Sequence, residues 1–381
     1  MIKRTLQDRL KTSSKSFLLL GPRQTGKSTL IRSLEPDLSI NLANEQTYLE
    51  FAHNPSELVQ RLAAKKYQHV FIDEVQRLPS LLNTVQVILD EGKQTPQFYL
   101  TGSSARKLKR GRANLLPGRI HSYQLSPLSA QELGYELDQY QALATGCLPG
   151  IYLDKNTHDR EKTLRTYAAT YLKEEIQAEA LTRNLEGFSR FLFVAAQLSG
   201  SFVDFAKLSN EASISRQSAI RYFEILQDTL IVHSCPPFAR SARKRLVQHP
   251  KFFFFDTGVL NALLGNFQAS DDRKGMLFEH LFFNQLISSA QHQDQEICVS
   301  TYRTNHGAEV DFIVEYQKKV WAIELKSSAN IGMKDLRGLQ SFSEFYNKPH
   351  EKVVAHLGKT TKKMGSTLLL PWQELLQKMK L

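Results

Sequence analysis

The eight residues from Gly21 to Ser28 constrain this chain more than any other feature of its sequence. They match the pattern G-x-x-x-x-G-K-[ST] in full, after an apolar segment that favours a strand and at the start of a segment typical of a helix. Glycines let backbone amides curl round phosphates, the lysine reaches the β and γ oxygens, and the serine hydroxyl ligates Mg²⁺. The sequence therefore predicts a site for ATP and Mg²⁺ formed by Gly21, Pro22, Arg23, Gln24, Thr25, Gly26, Lys27, Ser28 and Thr29.

A second motif supplies the acids that such a loop requires. The apolar segment His69–Ile72 ends in Asp73 and Glu74, at the carboxyl edge of the predicted sheet. We expect Asp73 to hold the metal, and Glu74 to orient or deprotonate the attacking water, which separates hydrolysis from binding. The next predicted strand ends at Thr101-Gly102-Ser103-Ser104, and we expect Ser103 or Ser104 to contact the γ-phosphate.

The pattern of apolar runs predicts an α/β core in the first third of the chain. Up to about Ser126, strand-like runs alternate with helical patterns, which indicates a parallel sheet with crossover helices. Further along, a helical stretch from 130 to 180 is interrupted by a predicted turn at 146–150. The predicted strands are 17–20, 39–42, 69–72, 97–100 and 120–125, and the predicted helices are 27–34, 55–64 and 79–90.

The first 130 residues resemble AAA+ ATPases, in particular the bacterial and archaeal group that carries a C-terminal domain of unknown function. Beyond the two phosphate-site motifs, the resemblance includes Gly118-Arg119, the segment Pro127-Leu128-Ser129, and a Gly-x-x-Pro turn at Gly146 and Pro149. It implies an oligomer, expected to be a hexameric ring, in which a trans arginine contacts the γ-phosphate. Arg119 is the first candidate for this arginine and Arg106 the second.

Charge and length place further domains after this core. The 381 residues predict two or three domains, and the net charge of +11 favours polyanions such as nucleic acid. Two acid-free basic segments, 101–125 and 238–251, are interpreted either as contacts to nucleic acid or as solvated loops. Residues 202–232 predict helix–turn–helix and then a strand, which suggests a winged helix. Its second helix would present Arg216, Gln217 and Arg221.

The carboxyl-terminal part predicts a second α/β unit with paired acids. Asp311 and Glu324 lie thirteen residues apart on two strand-like runs that a hairpin would join, and Lys326 shares a strand face with Glu324. This order, with Glu279 upstream, is similar to the PD-(D/E)xK nucleases, although Val310 replaces the proline of the motif. The resemblance implies a metal site of Glu279, Asp311 and Glu324 with Lys326 nearby. The alternative is a nuclease-like fold whose acids are ordinary surface residues.

The remaining features have conventional interpretations. No apolar run approaches the roughly 20 residues of a membrane span, and the amino terminus lacks an apolar leader, so we expect a cytoplasmic location. The three scattered cysteines predict packed thiols. The run Phe252–Phe255 predicts a strand buried on both sides rather than a base-stacking platform. His280 is interpreted as a partly exposed helix residue rather than a metal ligand.

Together these features predict an AAA+ core (1–130), a helical lid or linker (131–190), a winged helix (191–265) and a nuclease-like domain (266–381). The leading hypothesis is an ATP-hydrolysing oligomer that remodels or cuts branched or repair-intermediate DNA. Two alternatives stay open at this stage. One is an ATP-driven switch that acts on a protein partner through non-catalytic modules. The other is a nuclease gated by nucleotide without motor activity.

Overall fold

A computed structural model describes residues 2–92, 95–103, 118–171, 184–238, 249–328 and 330–381. The chain divides into two compact units. The first unit comprises Met1–Ser126 with Asp228–Ile231 and Gln291–Asp294. The second comprises Pro127–Gln227, Val232–Ala290 and Gln295–Leu381. The four-part division predicted from the sequence is finer than this and stays a prediction.

The first unit is built on a five-stranded parallel sheet, as predicted, in the order β2-β3-β4-β1-β5. Strand β1 is buried on both faces, because Leu18 and Leu20 join one apolar cluster while Phe17 and Leu19 join another. The strands are β1 (Ser16–Leu20), β2 (Leu38–Asn41), β3 (His69–Asp73), β4 (Gln97–Gly102) and β5 (Ile120–Gln124). The helices are α1 (Leu6–Thr12), α2 (Lys27–Arg32), α3 (Glu45–His53), α4 (Glu57–Ala64) and α5 (Leu81–Glu91).

The helical region that follows contains a helix–turn–helix and then two paired strands. The turn passes through Ser213 at a φ of 52°, and the Ser215 hydroxyl accepts a hydrogen bond from the Ser218 amide (3.1 Å). Strands β6 (Val232–Cys235) and β7 (Lys251–Phe254) pair antiparallel. The helices are α6 (Gln139–Thr145), α7 (Pro149–Tyr152), α8 (Thr157–Thr166), α9 (Leu185–Gln197), α10 (Phe205–Glu211), α11 (Arg216–Asp228), α12 (Thr257–Leu264) and α13 (Asp271–His292), with a π-helical turn at Tyr167–Tyr171.

The carboxyl-terminal part of the second unit is a six-stranded mixed sheet in the order β12-β13-β11-β10-β9-β8. Strands β8, β9 and β10 are antiparallel neighbours, whereas β11 pairs parallel with both β10 and β13. The strands are β8 (Cys298–Arg303), β9 (Glu309–Tyr316), β10 (Lys319–Lys326), β11 (Glu351–His356), β12 (Lys362–Met364) and β13 (Thr367–Pro371), and the helices are α14 (Arg337–Tyr346) and α15 (Trp372–Met379).

Several local expectations differ from the structure. His280 is fully buried rather than partly exposed, and Cys298 is exposed rather than packed. The predicted turn at 146–150 is shorter than expected, because α7 already begins at Pro149. The buried strand predicted at Phe252–Phe255 is present as β7, which ends one residue earlier at Phe254, and all four side chains are at most 2% exposed. Among the described residues, no helix combines the length and apolar character of a membrane span.

Candidate functional site

The glycine-rich loop after β1 has the backbone shape that its sequence predicts. Gly26 has a φ of 91° and Gln24 a φ of 64°, which are left-handed conformations, and α2 begins at Lys27. A side chain at Gly21 would place its Cβ 2.2 Å from the Leu125 carbonyl oxygen, so only glycine fits there. The Lys27 ammonium donates to the carbonyls of Gly21 and Pro22 at 2.8 and 2.9 Å. The loop therefore encloses its own lysine.

The magnesium ligands predicted from the sequence lie together. The Ser28 hydroxyl donates to Asp73 Oδ1 at 3.0 Å, and the Thr101 hydroxyl donates to the same oxygen at 2.5 Å. Because β3 and β4 are adjacent and parallel, their carboxyl ends bring Asp73 and Thr101 to one edge of the sheet. A hydroxyl and a carboxylate are the oxygen donors that Mg²⁺ prefers, so these residues fit the ion.

Glu74 follows Asp73 in an unusual backbone conformation that a side-chain network accompanies. Its φ is 61°, which is uncommon for a residue with a side chain. Glu74 Oε2 accepts a hydrogen bond from Gln76 Nε2, and the same nitrogen donates to the Ser103 hydroxyl at 3.0 Å. Gln76 thus links the expected water-activating acid to the expected phosphate-contacting serine. The sequence prediction missed Gln76, which lies in the short turn after Asp73 and Glu74. It named Thr101 in the segment that ends β4, but it did not foresee the contact of Thr101 with Asp73.

The other residues predicted for the ATP site have varied surroundings. Thr29 is exposed and Arg23 half-buried, whereas Thr25 is fully buried and its carbonyl accepts from Arg4 Nη1 at 2.6 Å. Arg119 precedes β5, at the amino-terminal edge of the sheet, and forms an ion pair with Asp90. The loop lies at the carboxyl edge, so Arg119 is remote from the phosphate site of its own chain. Ser104, Arg106 and the other candidates between 104 and 117, which are basic residues, lie outside the described residues.

The carboxyl-terminal acids meet as the hairpin spacing predicts. In the register of β9 and β10, Ile323 pairs with Phe312, which places Glu324 beside Asp311. Asp311 Oδ2 accepts a hydrogen bond from the Leu325 amide (2.7 Å), and Lys326 Nζ donates to Glu324 Oε1 (2.9 Å). The other Glu324 oxygen, Oε2, is buried and has no hydrogen-bond partner among the residues that the structure describes. An orphaned buried carboxylate oxygen is costly unless something binds it.

Glu279 on α13 approaches the same acids but has a different partner. Glu279 Oε1 is 2.8 Å from Lys251 Nζ, which is also 2.9 Å from Glu309 Oε1. Lys251 therefore belongs to a buried ion pair rather than to the basic segment assigned from the sequence. The other basic residues of that segment, Arg240, Arg243, Lys244 and Arg245, lie outside the described residues.

Burial sets the pKa values of these acids. It raises the pKa of Glu279 to about 7 against the opposing pull of the Lys251 charge, and it raises the pKa of Asp311. Burial also raises the pKa of Glu324 to about 8, and the neighbouring Asp311 charge adds to that increase. For Lys326, the hydrogen bond and charge of Glu324 outweigh burial and raise its pKa. The ionised form of these buried acids is therefore high in free energy.

The acids fit a divalent metal in part. Asp311 and the orphaned Glu324 oxygen are suitable hard ligands, whereas Lys251 engages Glu279. Within the parts of the chain that the structure describes, no three or more His, Cys, Asp or Glu side chains are grouped so as to hold a metal. The pair Asp311 and Glu324 is therefore the centre of the candidate metal site.

A third candidate surface lies on helix α11. Arg216, Gln217 and Arg221 are exposed, whereas Ala219, Tyr222 and Phe223 pack inward. This division follows the 3.6-residue period of a helix with one apolar stripe. The exposed stripe can therefore contact a partner without unfolding the helix.

Comparison with protein families agrees with the phosphate-site geometry. A family model described as an AAA domain matches residues 13–134, and models for two domains of unknown function, DUF8612 and DUF4143, match residues 136–270 and 274–375. With the glycine-rich loop and acid-bearing strand on a parallel sheet, these matches support an AAA-type ATPase with a C-terminal domain of unknown function. The winged helix and the nuclease-like domain are finer assignments and stay predictions.

Individual relatives add little about function. Uncharacterized proteins of Mycobacterium bovis and Mycobacterium tuberculosis are each 26% identical over 323 residues, or 82% of this chain and 70% of theirs. A signal-transduction ATPase with a tetratricopeptide repeat sensor from Pyrococcus horikoshii is 11% identical (TM-score 0.28), over 74% of this chain and 44% of that one. A DNA replication initiation factor is 13% identical (TM-score 0.27), and the match covers 76% of this chain and 92% of that one. At these TM-scores neither structure carries an argument.

Proposed function

We propose that this protein hydrolyses ATP with Mg²⁺ at the loop after β1 and uses the cycle to remodel or process DNA. The observation that carries the proposal is the network at the carboxyl edge of the parallel sheet. There, Ser28 and Asp73 would hold Mg²⁺, and Lys27 would neutralise the β and γ oxygens. Glu74, oriented by Gln76, would position the attacking water and accept its proton.

Two substitutions at the phosphate site separate binding from hydrolysis. Glu74→Gln keeps the size of the side chain but removes the base, so we expect turnover to fall by about 100-fold or more while ATP binding is retained. Lys27→Ala removes the phosphate-neutralising cation, so we expect ATP binding itself to be lost. Phosphate release and the binding of a fluorescent ATP analogue measure the two effects. Glu91→Gln, an exposed acid on α5, is the control, and full turnover by Glu74→Gln would contradict the role of Glu74.

The DNA part of the proposal rests on charge and on the exposed face of α11. The net charge of +11 favours phosphate backbones, and α11 presents Arg216, Gln217 and Arg221 after a helix–turn–helix bend. Two or three side chains on one helix are too few for extensive base readout. We therefore propose that the protein selects the shape of branched or repair-intermediate DNA rather than a long sequence.

Removal of both arginines from α11 tests this interface. We expect Arg216→Ala with Arg221→Ala to weaken binding to forked DNA, and to reduce the slope of log affinity against log salt by about 2, because each phosphate contact contributes about one unit. Fluorescence anisotropy at several salt concentrations measures both effects. Lys362→Ala with Lys363→Ala, on the exposed strand β12, removes the same charge elsewhere. An equal loss in both double variants would refute a specific role for α11.

The coupling of hydrolysis to DNA has its own test. Turnover by the intact chain is measured with and without forks, junctions and duplex, in Mg²⁺ and moderate salt. Stimulation by DNA supports a nucleic-acid-coupled ATPase. Turnover that Lys27→Ala abolishes but that no DNA alters would reject the DNA part, and would leave an ATP-driven switch acting on a protein partner.

A metal-dependent nuclease site is the second part of the proposed processing activity. Asp311, Glu324 and Glu279 would hold a divalent metal, with Lys326 beside Glu324. A bound metal would supply an activated water for attack on a phosphodiester. Cleavage of forked DNA by the wild type but not by Glu324→Gln would support this assignment. No cleavage by either protein would reject it while leaving the ATPase proposal intact.

A further inference from the structure

Gln76 joins two residues of the proposed phosphate site through a single nitrogen atom. Its Nε2 donates to Glu74 Oε2 and also to the Ser103 hydroxyl, the latter at 3.0 Å. Gln76 is 5% exposed and lies in the short turn Val75–Arg77 that follows β3. An amide NH₂ group carries two hydrogens, so it can serve both acceptors at once. The nitrogen is therefore shared between the end of β3 and the end of β4.

The carboxylate of Glu74 sets the orientation of this amide. An ionised carboxylate only accepts hydrogen bonds, so the nitrogen of Gln76, and not its oxygen, must face Glu74. Gln76 Oε1 is buried and has no hydrogen-bond partner within the described part of the chain. A buried acceptor in that state costs free energy. Packing alone therefore does not explain why an amide occupies this position.

Gly102, the last residue of β4, leaves the space that the Gln76 amide occupies. A Cβ at Gly102 would lie 2.9 Å from Gln76 Oε1, which is too close for a methyl group. The φ of Gly102 is not in the left-handed region, so its backbone would accept an ordinary side chain. The absence of a side chain at Gly102 is thus explained by Gln76 and not by a strained turn.

The backbone of Glu74 and the proposed metal ligands are held by other contacts. The Glu74 amide donates to the Thr101 hydroxyl at 3.3 Å, and that hydroxyl donates to Asp73 Oδ1 at 2.5 Å. The Ser28 hydroxyl donates to the same Asp73 oxygen at 3.0 Å. Loss of the Gln76 amide would therefore leave these contacts in place and affect the carboxylate of Glu74.

We infer that Gln76 is a positioning residue that makes the water-activating acid respond to the γ-phosphate of ATP. This inference rests on the proposed ATPase function, in which Ser103 contacts that phosphate. A γ-phosphate on Ser103 fixes the hydroxyl, the hydroxyl fixes the Gln76 nitrogen, and the nitrogen fixes the Glu74 carboxylate. Hydrogen bonds in such a chain strengthen one another. ADP lacks the γ-phosphate, so with ADP the chain of contacts ends at Ser103 and holds Glu74 less firmly.

Turnover and nucleotide binding together test the positioning role. Gln76→Met keeps the length of the side chain but removes the amide donor, so we expect kcat to fall about tenfold or more because Glu74 is misplaced. Binding of a fluorescent ATP analogue should be unchanged. Gln46→Met, the same substitution at an exposed glutamine of α3, should match the wild type. Circular dichroism first establishes that each variant is folded.

The outcomes of this experiment are distinct. Full turnover by Gln76→Met, with turnover abolished by Lys27→Ala, would overturn the role of Gln76 and preserve the proposed ATPase. Absence of turnover in the wild type would overturn the proposed ATPase and the role of Gln76 with it.

A double variant separates coupling from a merely structural role. Ser103→Ala should lower kcat about tenfold in the wild type but less than about threefold in Gln76→Met, because the contact through which it acts on Glu74 is already broken. An equal factor in both backgrounds would show that the two residues act independently, and would overturn the coupling.

Hydrogen exchange covers the case in which Gln76→Met does not fold. Peptide mass spectrometry compares residues 74–78 with saturating ADP and with a non-hydrolysable ATP analogue. We expect slower exchange with the analogue, and we expect Gly102→Ala, which displaces the Gln76 amide, to remove that difference while the analogue still binds. Gly275→Ala, whose Cβ would meet no atom of the described residues within 4 Å, should retain the difference. Equal exchange with both nucleotides in the wild type would overturn the inference.

Discussion

One buried arginine, Arg4, stabilises the conformation of the phosphate-binding loop. Arg4 is 6% exposed, and its guanidinium donates to the Thr25 carbonyl at 2.6 Å and to the Ser126 carbonyl at 2.8 Å. A further contact joins it to His292 at 3.1 Å. These contacts fix the loop from outside its own motif, because Thr25 lies between Gln24 and Gly26, the two residues with left-handed backbone conformations. Hydrogen bonds from a charged donor are among the strongest that a loop can receive.

Loss of Arg4 should therefore weaken the first unit and its nucleotide site. We expect Arg4→Ala to lower the free energy of unfolding by about 3 kcal/mol, because buried carbonyls lose charged donors, and to reduce ATP affinity. Urea unfolding and a fluorescent ATP analogue measure the two quantities. Arg9→Ala, which breaks the exposed pair with Asp294 and an exposed hydrogen bond to the Gln293 carbonyl, should cost less than about 1 kcal/mol. Equal effects of the two substitutions would contradict the anchoring role of Arg4.

At the scale of elements, one buried carboxylate organises the turn between α6 and α7. Asp256 caps α12 by accepting from the Val259 amide at 3.1 Å, and it also accepts from the Cys147 amide at 2.7 Å. Gly146 has a φ of 72°, and a Cβ there would lie 2.0 Å from Asp256 Oδ1. The glycine of the predicted Gly-x-x-Pro turn is thus required because a carboxylate from a distant segment occupies the space of a side chain.

Substitution of this glycine should be far more costly than substitution of its neighbour in the same turn. We expect Gly146→Ala to destabilise the protein by about 3 kcal/mol, because the methyl group overlaps Asp256 in a strained backbone conformation. A Cβ at Gly150 has no atom of the described residues within 4 Å, and Gly150 lies in α7, so Gly150→Ala should be neutral or slightly stabilising. Thermal unfolding of both variants measures the difference, and similar melting temperatures would contradict the packing argument.

Asp256 should also make stability depend on pH. Burial raises its pKa from 3.8 to about 6, so the folded state binds the proton more tightly than the unfolded chain does. Its contribution is therefore complete below about pH 4 and is lost as the pH rises through 6. Relative to wild type, Asp256→Asn should gain up to about 3 kcal/mol in unfolding free energy between about pH 4 and pH 7. If the difference in unfolding free energy between Asp256→Asn and the wild type did not change with pH, the raised pKa of Asp256 would be contradicted.

At the scale of the whole molecule, the position of Arg119 bears on assembly. Arg119 lies at the amino-terminal edge of the sheet, and the phosphate loop follows the carboxyl end of β1, roughly 15 Å away at about 3.3 Å per strand residue. It cannot contact a phosphate in its own chain. A role in hydrolysis therefore requires a neighbouring copy in a homo-oligomer such as the predicted hexameric ring.

Mixing experiments distinguish a trans role for Arg119 from a structural one. We expect Arg119→Ala to lower turnover by about 100-fold or more, and a mixture with Lys27→Ala to recover part of it, because some interfaces then combine an intact loop with an intact arginine. Asp90→Ala breaks the same ion pair but retains the arginine, so its turnover should stay near the wild-type value. Failure of the mixture to exceed the sum of its components would reject the trans arrangement.

The sequence by itself determined the features that depend on neighbouring residues. The loop from Gly21 to Ser28 and the acids after β3 were predictable, because their chemistry requires fixed residue types at fixed spacing beside a strand. The hairpin that places Asp311 beside Glu324 was equally predictable, because strand residues alternate between two faces. These local rules gave the α/β class and much of the candidate site.

Only the tertiary structure decided which distant segments meet at those sites. The insertion of β4 between β1 and β3 brings Thr101 to Asp73, and the pairing of β6 with β7 carries Lys251 into a cluster of acids from a later part of the chain. The partners of Arg4 and Asp256 were hidden for the same reason. Each contact joins residues far apart in sequence, so its energy depends on the packing of whole elements, and no local pattern of residues records it.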